Sequence, residues 1–333
     1  MKVLITGSAG FIGYHLAKLL LENGSSVVGI DAMTEYYDVN IKRARNKLLE
    51  KYDQFVFQET SIENEQDLHK IFLSEMPEVI IHLAAQAGVR YSIESPRSYI
   101  DANIIGTFNI VEMARNFGCK HLLFASTSSV YGGNTVMPFV ETQRTDLQMS
   151  LYAATKKACE AITHSYSHLF KIPTTSFRFF TAYGPWGRPD MALFKFTQAI
   201  FEGKEIEIYN QGNMYRDFVY VDDLVESIKR LINNIPGIKP SKIEGDSLSS
   251  IAPWRSVNIA SENPIKLTDF IFSIERATGM LAQKKYLEIQ PGDVPKTWAD
   301  ISLLRNLTNY VPQTELHTGV NNFVNWYKNY YQI

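Results

Sequence analysis

A strand, a glycine-rich turn, a helix and a second strand open the chain, and they constrain its fold more than any other feature. Residues 3–6 are a short apolar run typical of a buried strand. Leucines at helical spacing predict a helix over residues 14–22, and residues 26–30 predict a second strand that closes on Asp31. This order is typical of a dinucleotide-binding βαβ unit.

The glycines of the turn are spaced G-x-x-G-x-x-G, and each has a predicted role. Gly7 allows the tight turn, Gly10 lets the backbone approach a pyrophosphate, and Gly13 lets the helix pack closely on the strand. The helix N-terminus would then meet the phosphate charge. Asp31 can accept the ribose 2′-hydroxyl and would repel a 2′-phosphate, so the sequence favours NAD over NADP.

The composition excludes several other classes of protein. The chain has 333 residues, of which 45% are hydrophobic, and its net charge of −2 gives no reason to expect nucleic acid or an anionic membrane as partner. No apolar run reaches the roughly 18 residues that span a bilayer. Cys119 and Cys159 are too few for a disulfide framework, and His15, His82 and His121 lack metal-ligand spacing. We expect a cytoplasmic enzyme without a metal.

Strands and helices alternate through the first half of the chain. Further strands are predicted over residues 55–58, 78–83, 121–125 and 174–179, separated by helices over residues 38–52, 67–73, 98–117 and 152–170. This alternation predicts an α/β fold with a Rossmann-type, doubly wound parallel sheet, whose ligands lie at the carboxyl ends of the strands. We expect an NAD-binding domain over residues 1–180. A smaller mixed α/β part over residues 181–333 would bind the substrate, and some of its segments could return to the first domain.

A second stretch carries groups that can move a proton. Residues 126–129 are Ser, Thr, Ser and Ser at the end of a predicted strand, and Tyr152 and Lys156 follow on a predicted helix. Positions i and i+4 share one face of a helix. Because an ammonium beside a phenol stabilises the phenolate, we expect Lys156 to lower the pKa of Tyr152 below its ordinary value of about 10. The alternative is a chance pair on an amphipathic helix.

Together these motifs resemble the extended short-chain dehydrogenases/reductases that act on nucleotide sugars. Residues 178–194, 216–223 and 290–295 are more specific, and they are similar to stretches of UDP-glucuronate 4-epimerases, including those of capsule biosynthesis. The resemblance runs nearly from end to end. One departure is Ser61, where such proteins often carry an aspartate near the adenine.

The resemblance implies a UDP-sugar substrate and a bound NAD that is reduced and reoxidised within one turnover. Tyr152 would take the proton from the sugar O4, Lys156 would hold the nicotinamide ribose, and Thr127 would hydrogen-bond O4. A 4-keto sugar would turn over in the site and regain the hydride on its other face. The implied cofactor-binding residues are Gly7, Gly10, Phe11, Ile12, Gly13, Asp31, Ser61, Ile62, Leu83, Ala84, Ala85, Gln86, Asn103, Tyr152 and Lys156.

The hydroxyl cluster narrows the choice of reaction. Relatives that remove water or carbon dioxide usually carry an acid before the Val-Tyr-Gly sequence, whereas this chain has Ser128 and Ser129. Elimination of a hydroxyl needs a general acid, so the pair favours epimerisation. We expect Thr127, Ser128, Ser129 and Thr181 to bind a substrate carboxylate and keep it from leaving as carbon dioxide. The alternative is that these hydroxyls satisfy the backbone at the strand end.

Four more residues are candidates for the substrate. Arg188 and Arg216 match a diphosphate, because a guanidinium forms a fork with phosphate oxygens. Arg90 either faces the substrate or is a surface arginine, and Asp293 either accepts from the uridine ribose or belongs to an ordinary turn.

Other functions stay open at this point. The chain could be a 4-epimerase of UDP-glucose or UDP-N-acetylglucosamine, a UDP-glucuronate decarboxylase, or a non-catalytic NAD sensor. A sensor would not need both Tyr152 and Lys156. We also expect a homodimer, with residues 98–117 and 152–170 as its interface helices.

Overall fold

The structure is a computed structural model that describes residues 1–239, 241–289 and 294–333. The strands of the first half are β1 (Lys2–Thr6), β2 (Ser26–Asp31), β3 (Phe55–Glu59), β4 (Val79–His82), β5 (His121–Thr127) and β6 (Thr174–Phe179). The helices between them are α1 (Phe11–Glu22), α2 (Val39–Leu49), α3 (Glu65–Glu75), α4 (Tyr91–Glu94), α5 (Pro96–Tyr99), α6 (Gly106–Asn116) and α7 (Leu151–Phe170).

The second half contributes shorter elements. They are β7 (Thr181–Tyr183), α8 (Ala192–Phe201), β8 (Glu205–Tyr209), β9 (Tyr215–Tyr220), α9 (Val221–Ile232), β10 (Trp254–Ile259), β11 (Pro264–Lys266), α10 (Leu267–Thr278), β12 (Gln283–Leu287), β13 (Lys296–Thr297), α11 (Ser302–Thr308) and α12 (Leu316–Tyr331).

Seven parallel strands form the central sheet, in the order β3–β2–β1–β4–β5–β6–β10. Apolar side chains on both of its faces are buried, as expected for a parallel sheet covered by helices. The predicted fold class is therefore confirmed. The last strand comes from the second half of the chain, and α9 packs against α1, so segments after residue 180 complete the central sheet and one of its helical layers.

The region predicted as one helix over residues 98–117 is divided. After α5, a π-helical segment runs over Ile100–Ile105 and leads directly into α6. A π turn changes the hydrogen-bonding pattern without ending the helix, so the apolar spacing of the sequence gives no sign of it. The segment carries Asn103, whose side chain is 1% exposed and hydrogen-bonds the backbone of Gln86.

The small sheets of the second half lie beyond the carboxyl end of β6. β7 follows β6 after one residue and pairs with β9, which also pairs with β11 and β13, while β8 pairs with β12. Thr181 is thereby fixed near the carboxyl edge of the central sheet. Across the described ranges, no helix has the length and apolar character needed to cross a membrane.

Candidate active site

The glycine turn after β1 is shaped for a bound phosphate. Gly7 has a φ of +72°, and its N–H donates to the Ile30 carbonyl at 2.7 Å. A Cβ at Gly13 would lie 2.0 Å from the Gly7 carbonyl oxygen, so only glycine fits there. Gly10 caps α1 without any side-chain hydrogen bond. The first N–H groups of α1 are therefore available to a diphosphate.

Asp31 lies at the carboxyl end of β2, beside this turn. It is 7% exposed, and its two oxygens accept from the Ala9 N–H at 3.2 Å and the Met33 N–H at 2.9 Å. The Lys42 ammonium lies 3.7 Å from one of these oxygens. Because a carboxylate oxygen can accept more than one bond, Asp31 keeps capacity for a ribose hydroxyl. The turn and this acid thus fit a dinucleotide.

Residues 83–86, which include Leu83, Ala84 and Ala85, follow β4 and face the glycine turn: a Cβ at Gly7 would lie 2.9 Å from the Ala84 nitrogen. Asn103 braces this segment from behind. Its side-chain oxygen accepts from the Gln86 N–H at 2.8 Å, and its amide donates to the Gln86 carbonyl at 3.1 Å and the Thr155 hydroxyl at 3.0 Å. Asn103 therefore braces this segment, and its contact with the cofactor stays a prediction.

Ser61 and Ile62 lie just after β3, on the far side of the predicted dinucleotide site. The Ser61 hydroxyl donates to the Glu63 carboxylate. Ile62 is 5% exposed and packs over Gly106, where a Cβ would approach its side chain to 2.4 Å. An acid, Glu63, therefore lies beside Ser61, two residues further along the chain.

Tyr152, Lys156 and Thr127 meet at the carboxyl end of β5. Lys156 is 2% exposed and donates to the Ala125 carbonyl at 2.7 Å, and burial lowers its pKa to about 8. Burial raises the pKa of Tyr152, while a hydrogen bond with Thr127 and the charge of Arg188 lower it to a smaller extent. Lys156 is not among the groups that act on the pKa of Tyr152, so the predicted lowering by Lys156 is not seen in this structure, where burial dominates.

The hydroxyls of residues 126–129 divide into two groups. Thr127 is 7% exposed and accepts from the Ser129 N–H at 3.2 Å, and Ser128 and Ser129 lie half-buried in the short 3₁₀ turn that follows. Ser126, by contrast, points inward and donates to Glu160 at 2.7 Å. Only the last three hydroxyls can therefore face a substrate.

A buried ion pair lies beneath this turn. Glu160 on α7 binds the Arg178 guanidinium of β6 through two bonds of 3.0 Å, and both residues are less than 5% exposed. Burial alone would raise the pKa of Glu160, but Arg178 and the Ser126 hydroxyl bring it below its ordinary value. This carboxylate is therefore ionised and fixed, and no local pattern along the chain indicates the pairing.

Arg188 lies in the loop that follows β7. Its guanidinium forms a fork with Asp190, with bonds of 2.9 and 2.5 Å, and the Tyr36 hydroxyl donates to the same carboxylate at 3.2 Å. Arg188 also lines a cavity together with Thr181. Its charge acts on Tyr152, so the structure brings Arg188, Thr127 and Tyr152 into one group.

The other substrate candidates lie elsewhere. Arg216 of β9 donates to the Tyr215 and Pro295 carbonyls at 2.9 and 3.3 Å. Arg90, at the start of α4, lies over the Tyr209 ring at 4.7 Å, and so links the first half of the chain to the second. Asp293 lies outside the described residues.

Comparison with known proteins gives these features a context. Residues 3–243 match the NAD dependent epimerase/dehydratase family. The chain belongs to this family. The match agrees with the resemblance seen in the motifs, and NAD is the family's cofactor, which the glycine turn and Asp31 fit.

Individual relatives narrow the comparison. A probable UDP-glucuronate 4-epimerase of Rhizobium meliloti is 51% identical over 336 residues, which cover 100% of this chain and 98% of that protein. Protein CapI of Staphylococcus aureus is also 51% identical, over the full length of both. The crystal structure of UDP-glucuronic acid 4-epimerase from Bacillus cereus, with UDP-glucuronic acid and NAD, covers 99% of this chain and 100% of its own, with 32% identity and a TM-score of 0.88.

Proposed function

We propose that this protein interconverts UDP-glucuronate and UDP-galacturonate by inverting C4 through a 4-keto intermediate. The observation that carries the proposal is the position of Tyr152 and buried Lys156 on α7 against the end of β5. There Lys156 donates to the Ala125 carbonyl, and Thr127 leads into a turn whose side chains carry hydroxyls and no acid. The relatives named as UDP-glucuronate 4-epimerases support the choice of substrate.

The chain's own groups handle the proton. When bound, NAD accepts the hydride from C4 and later returns it to the opposite face. Tyr152, as phenolate, accepts the O4 proton while the C4–O4 bond becomes a carbonyl, and it gives the proton back when the hydride returns. Thr127 and the charge of Arg188 favour the phenolate, and Lys156 would hold the nicotinamide ribose. One proton and one hydride leave the sugar in the first step, and one of each returns to it in the second, so the reaction causes no net oxidation.

Elimination is disfavoured because the carboxylate beneath the hydroxyl turn cannot act as an acid. Glu160 is ionised and held by Arg178 and Ser126. A general acid must carry a proton to give to the leaving group. The site therefore fits a reaction in which hydride and proton return to the same sugar.

The half-buried hydroxyls fit a substrate with a carboxylate. A 4-keto uronate is a β-keto acid, and it loses carbon dioxide when its carboxylate bond aligns with the carbonyl π system. We propose that Thr127, Ser128, Ser129 and Thr181 hold the carboxylate out of that alignment. Hydrogen bonds to a charged group contribute about 1.5–3 kcal/mol each.

Ser129→Ala and Thr181→Ala test this role. Each should weaken UDP-glucuronate binding by about tenfold or more and raise the fraction of UDP-pentose by-product. Ser126→Ala is the matched control, because that hydroxyl points to Glu160 and not to the substrate. If neither affinity nor by-product changes in the two variants, the carboxylate does not bind there.

Arg216 and Asp293 remain our proposals for the diphosphate and the uridine ribose. Arg188 was also a diphosphate candidate, but its position near Tyr152 favours the reacting sugar. Arg90 is proposed to contact the substrate from α4, where it bridges to the second half of the chain.

Incubation with separate UDP-sugars tests the proposed function. With UDP-glucuronate, NMR should show UDP-galacturonate without addition of a second substrate. UDP-xylose as the main product would identify a decarboxylase, and turnover of UDP-glucose or UDP-N-acetylglucosamine alone would identify an epimerase of neutral sugars. NAD binding without turnover of any of these UDP-sugars would identify a non-catalytic NAD sensor.

We also propose that the protein acts in the cytoplasm as a homodimer. The outer faces of the π segment, α6 and α7 expose large apolar side chains: Ile105 is 39% exposed, Phe108 is 46% and Leu169 is 63%. Covering such a face with a second copy removes apolar area from water. Light scattering should give a dimer mass, and Phe108→Glu should give a monomer while Leu281→Glu, on an 85% exposed residue elsewhere, should not.

A further inference from the structure

One buried cation of α2 has no place in the mechanism above. The basic residues of α2 could all be expected to face solvent, but Arg45 is 0% exposed. Within the described ranges it makes no ion pair with a carboxylate, and its Nε has no hydrogen-bond partner. A buried charge that is not paired is costly, so its retention calls for a reason.

The bonds of Arg45 join two distant segments. Its Nη1 donates to the Ala9 carbonyl, inside the glycine turn, at 2.9 Å and to the Tyr37 hydroxyl at 3.0 Å. Its Nη2 donates to the Trp186 carbonyl at 2.6 Å and to the Gly187 carbonyl at 3.4 Å. One guanidinium therefore ties the glycine turn to the segment that contains residues 186 and 187.

A second set of contacts holds the same segment against α1. The His15 ring nitrogen Nε2 lies 2.9 Å from the Pro185 carbonyl oxygen, and the Tyr14 and Trp186 rings are 5.7 Å apart. Phe11, in the first turn of α1, lines a cavity together with Gly187. Residues 184–187, which we call the cover segment, thus close over the start of α1.

The charge of Arg45 suits the ligand that this turn is built for. Among the described residues it is offset by carbonyl dipoles, one hydroxyl and the Tyr37 ring, whose centre lies 5.8 Å away. A diphosphate at the neighbouring helix N-terminus would bring two negative charges close to it. In a buried environment such charges attract more strongly than in water, so the cation favours the loaded state.

We propose that Arg45 is a positioning residue that fixes the cover segment on the glycine turn and thereby slows the release of NAD. The inference rests on the proposed function only in that NAD is the resident cofactor. A cofactor that must be reduced and reoxidised in one turnover gains from slow release, because its loss in the reduced form would strand the 4-keto sugar.

Displacement of NADH by excess NAD, followed by NADH fluorescence in the absence of sugar, measures the release rate. Arg45→Met should release NADH at least about tenfold faster than the unmodified protein, and Arg45→Lys should lie between the two, because lysine keeps the charge but not the fork. At saturating NAD, the turnover of Arg45→Met should recover while its requirement for NAD stays raised. A merely structural role would lower turnover at every NAD concentration.

Arg43→Met is the matched control, since Arg43 lies on the same helix with a 57% exposed side chain and pairs with Glu59 at the surface. It should leave the release rate within about twofold. If Arg45→Met does not fold, His15→Ala cuts the other tie to the cover segment and should also speed release. Unchanged release in whichever of these variants folds overturns the inference.

The two proposals can fail separately. A protein that holds NADH slowly, releases it faster after Arg45→Met, and does not convert UDP-glucuronate supports this inference and contradicts the proposed substrate. A protein that binds no NADH contradicts both.

Discussion

Lys156→Met should make the folded protein more stable at neutral pH while it removes activity. The ammonium is 2% exposed, its one hydrogen bond goes to the Ala125 carbonyl, and the nearby Glu160 is committed to Arg178. Burial therefore lowers the pKa of Lys156 from 10.5 to about 8. The site thus holds a charged group at a cost to stability.

The sign and size of the change in the free energy of unfolding with pH follow from proton linkage. Between pH 8 and 10.5 the unfolded chain holds the lysine proton and the folded chain has lost it. The unfolded state binds more protons, so the free energy of unfolding rises with pH through this window. At about 1.36 kcal/mol per pKa unit, the contribution of this group rises by about 2.5 kcal/mol between pH 7 and pH 10.

Urea unfolding of the NAD-free protein and of Lys156→Met across that pH range measures the effect. Lys156 also lowers the pKa of Cys159 and of His82, whereas the other groups titrate alike in both proteins, so the difference between their free energies of unfolding reports mainly Lys156. We expect the methionine variant to be more stable than the unmodified protein at pH 7, and this difference in the free energy of unfolding to shrink by about 2.5 kcal/mol between pH 7 and pH 10. A difference that stays constant with pH would refute the argument. Turnover should fall by about 100-fold or more at every pH.

Three further changes follow from the same contacts. Glu160→Gln leaves the buried Arg178 guanidinium uncompensated and should cost about 3–5 kcal/mol of stability in urea unfolding; a loss below about 1 kcal/mol would mean that the pair is not buried in solution. Thr127→Ala removes the hydrogen bond that lowers the Tyr152 pKa, so the acid limb of the pH–rate profile should move to higher pH, and an unmoved limb would exclude the contact. Gly13→Ala places a Cβ 2.0 Å from a carbonyl oxygen of the glycine turn and should abolish NAD binding in calorimetry, whereas retained affinity would show that the turn can adapt.

The sequence predicted best what local pattern determines. The βαβ unit, the parallel sheet and the helix that carries Tyr152 and Lys156 follow from apolar spacing and glycine position, and the structure has all of them. The pattern fails where a side chain bonds to a distant partner. Asn103 hydrogen-bonds Gln86 and Thr155, which nothing in its neighbourhood along the chain could indicate.

The burial of charged side chains was the other feature that could not be predicted from the sequence. Spacing placed the basic residues of α2 on a helix, but it could not tell which of them would be covered by residues 184–187, more than a hundred positions later. The state of Lys156 also depends on burial and on its bond to a carbonyl of the preceding strand, and the pKa of Tyr152 depends on burial, Thr127 and Arg188. These are properties of packing, and they appear only when segments remote in sequence are in contact.

Conversion of UDP-glucuronate deuterated at C4 tests the central claim most directly. If one bound NAD takes the hydride and returns it to the opposite face of the same sugar, mass spectrometry and NMR should find UDP-galacturonate with the deuterium still at C4. The label should be retained in an excess of unlabelled free NAD and in ordinary water. Loss of the deuterium, or a UDP-pentose as the main product, would contradict the account.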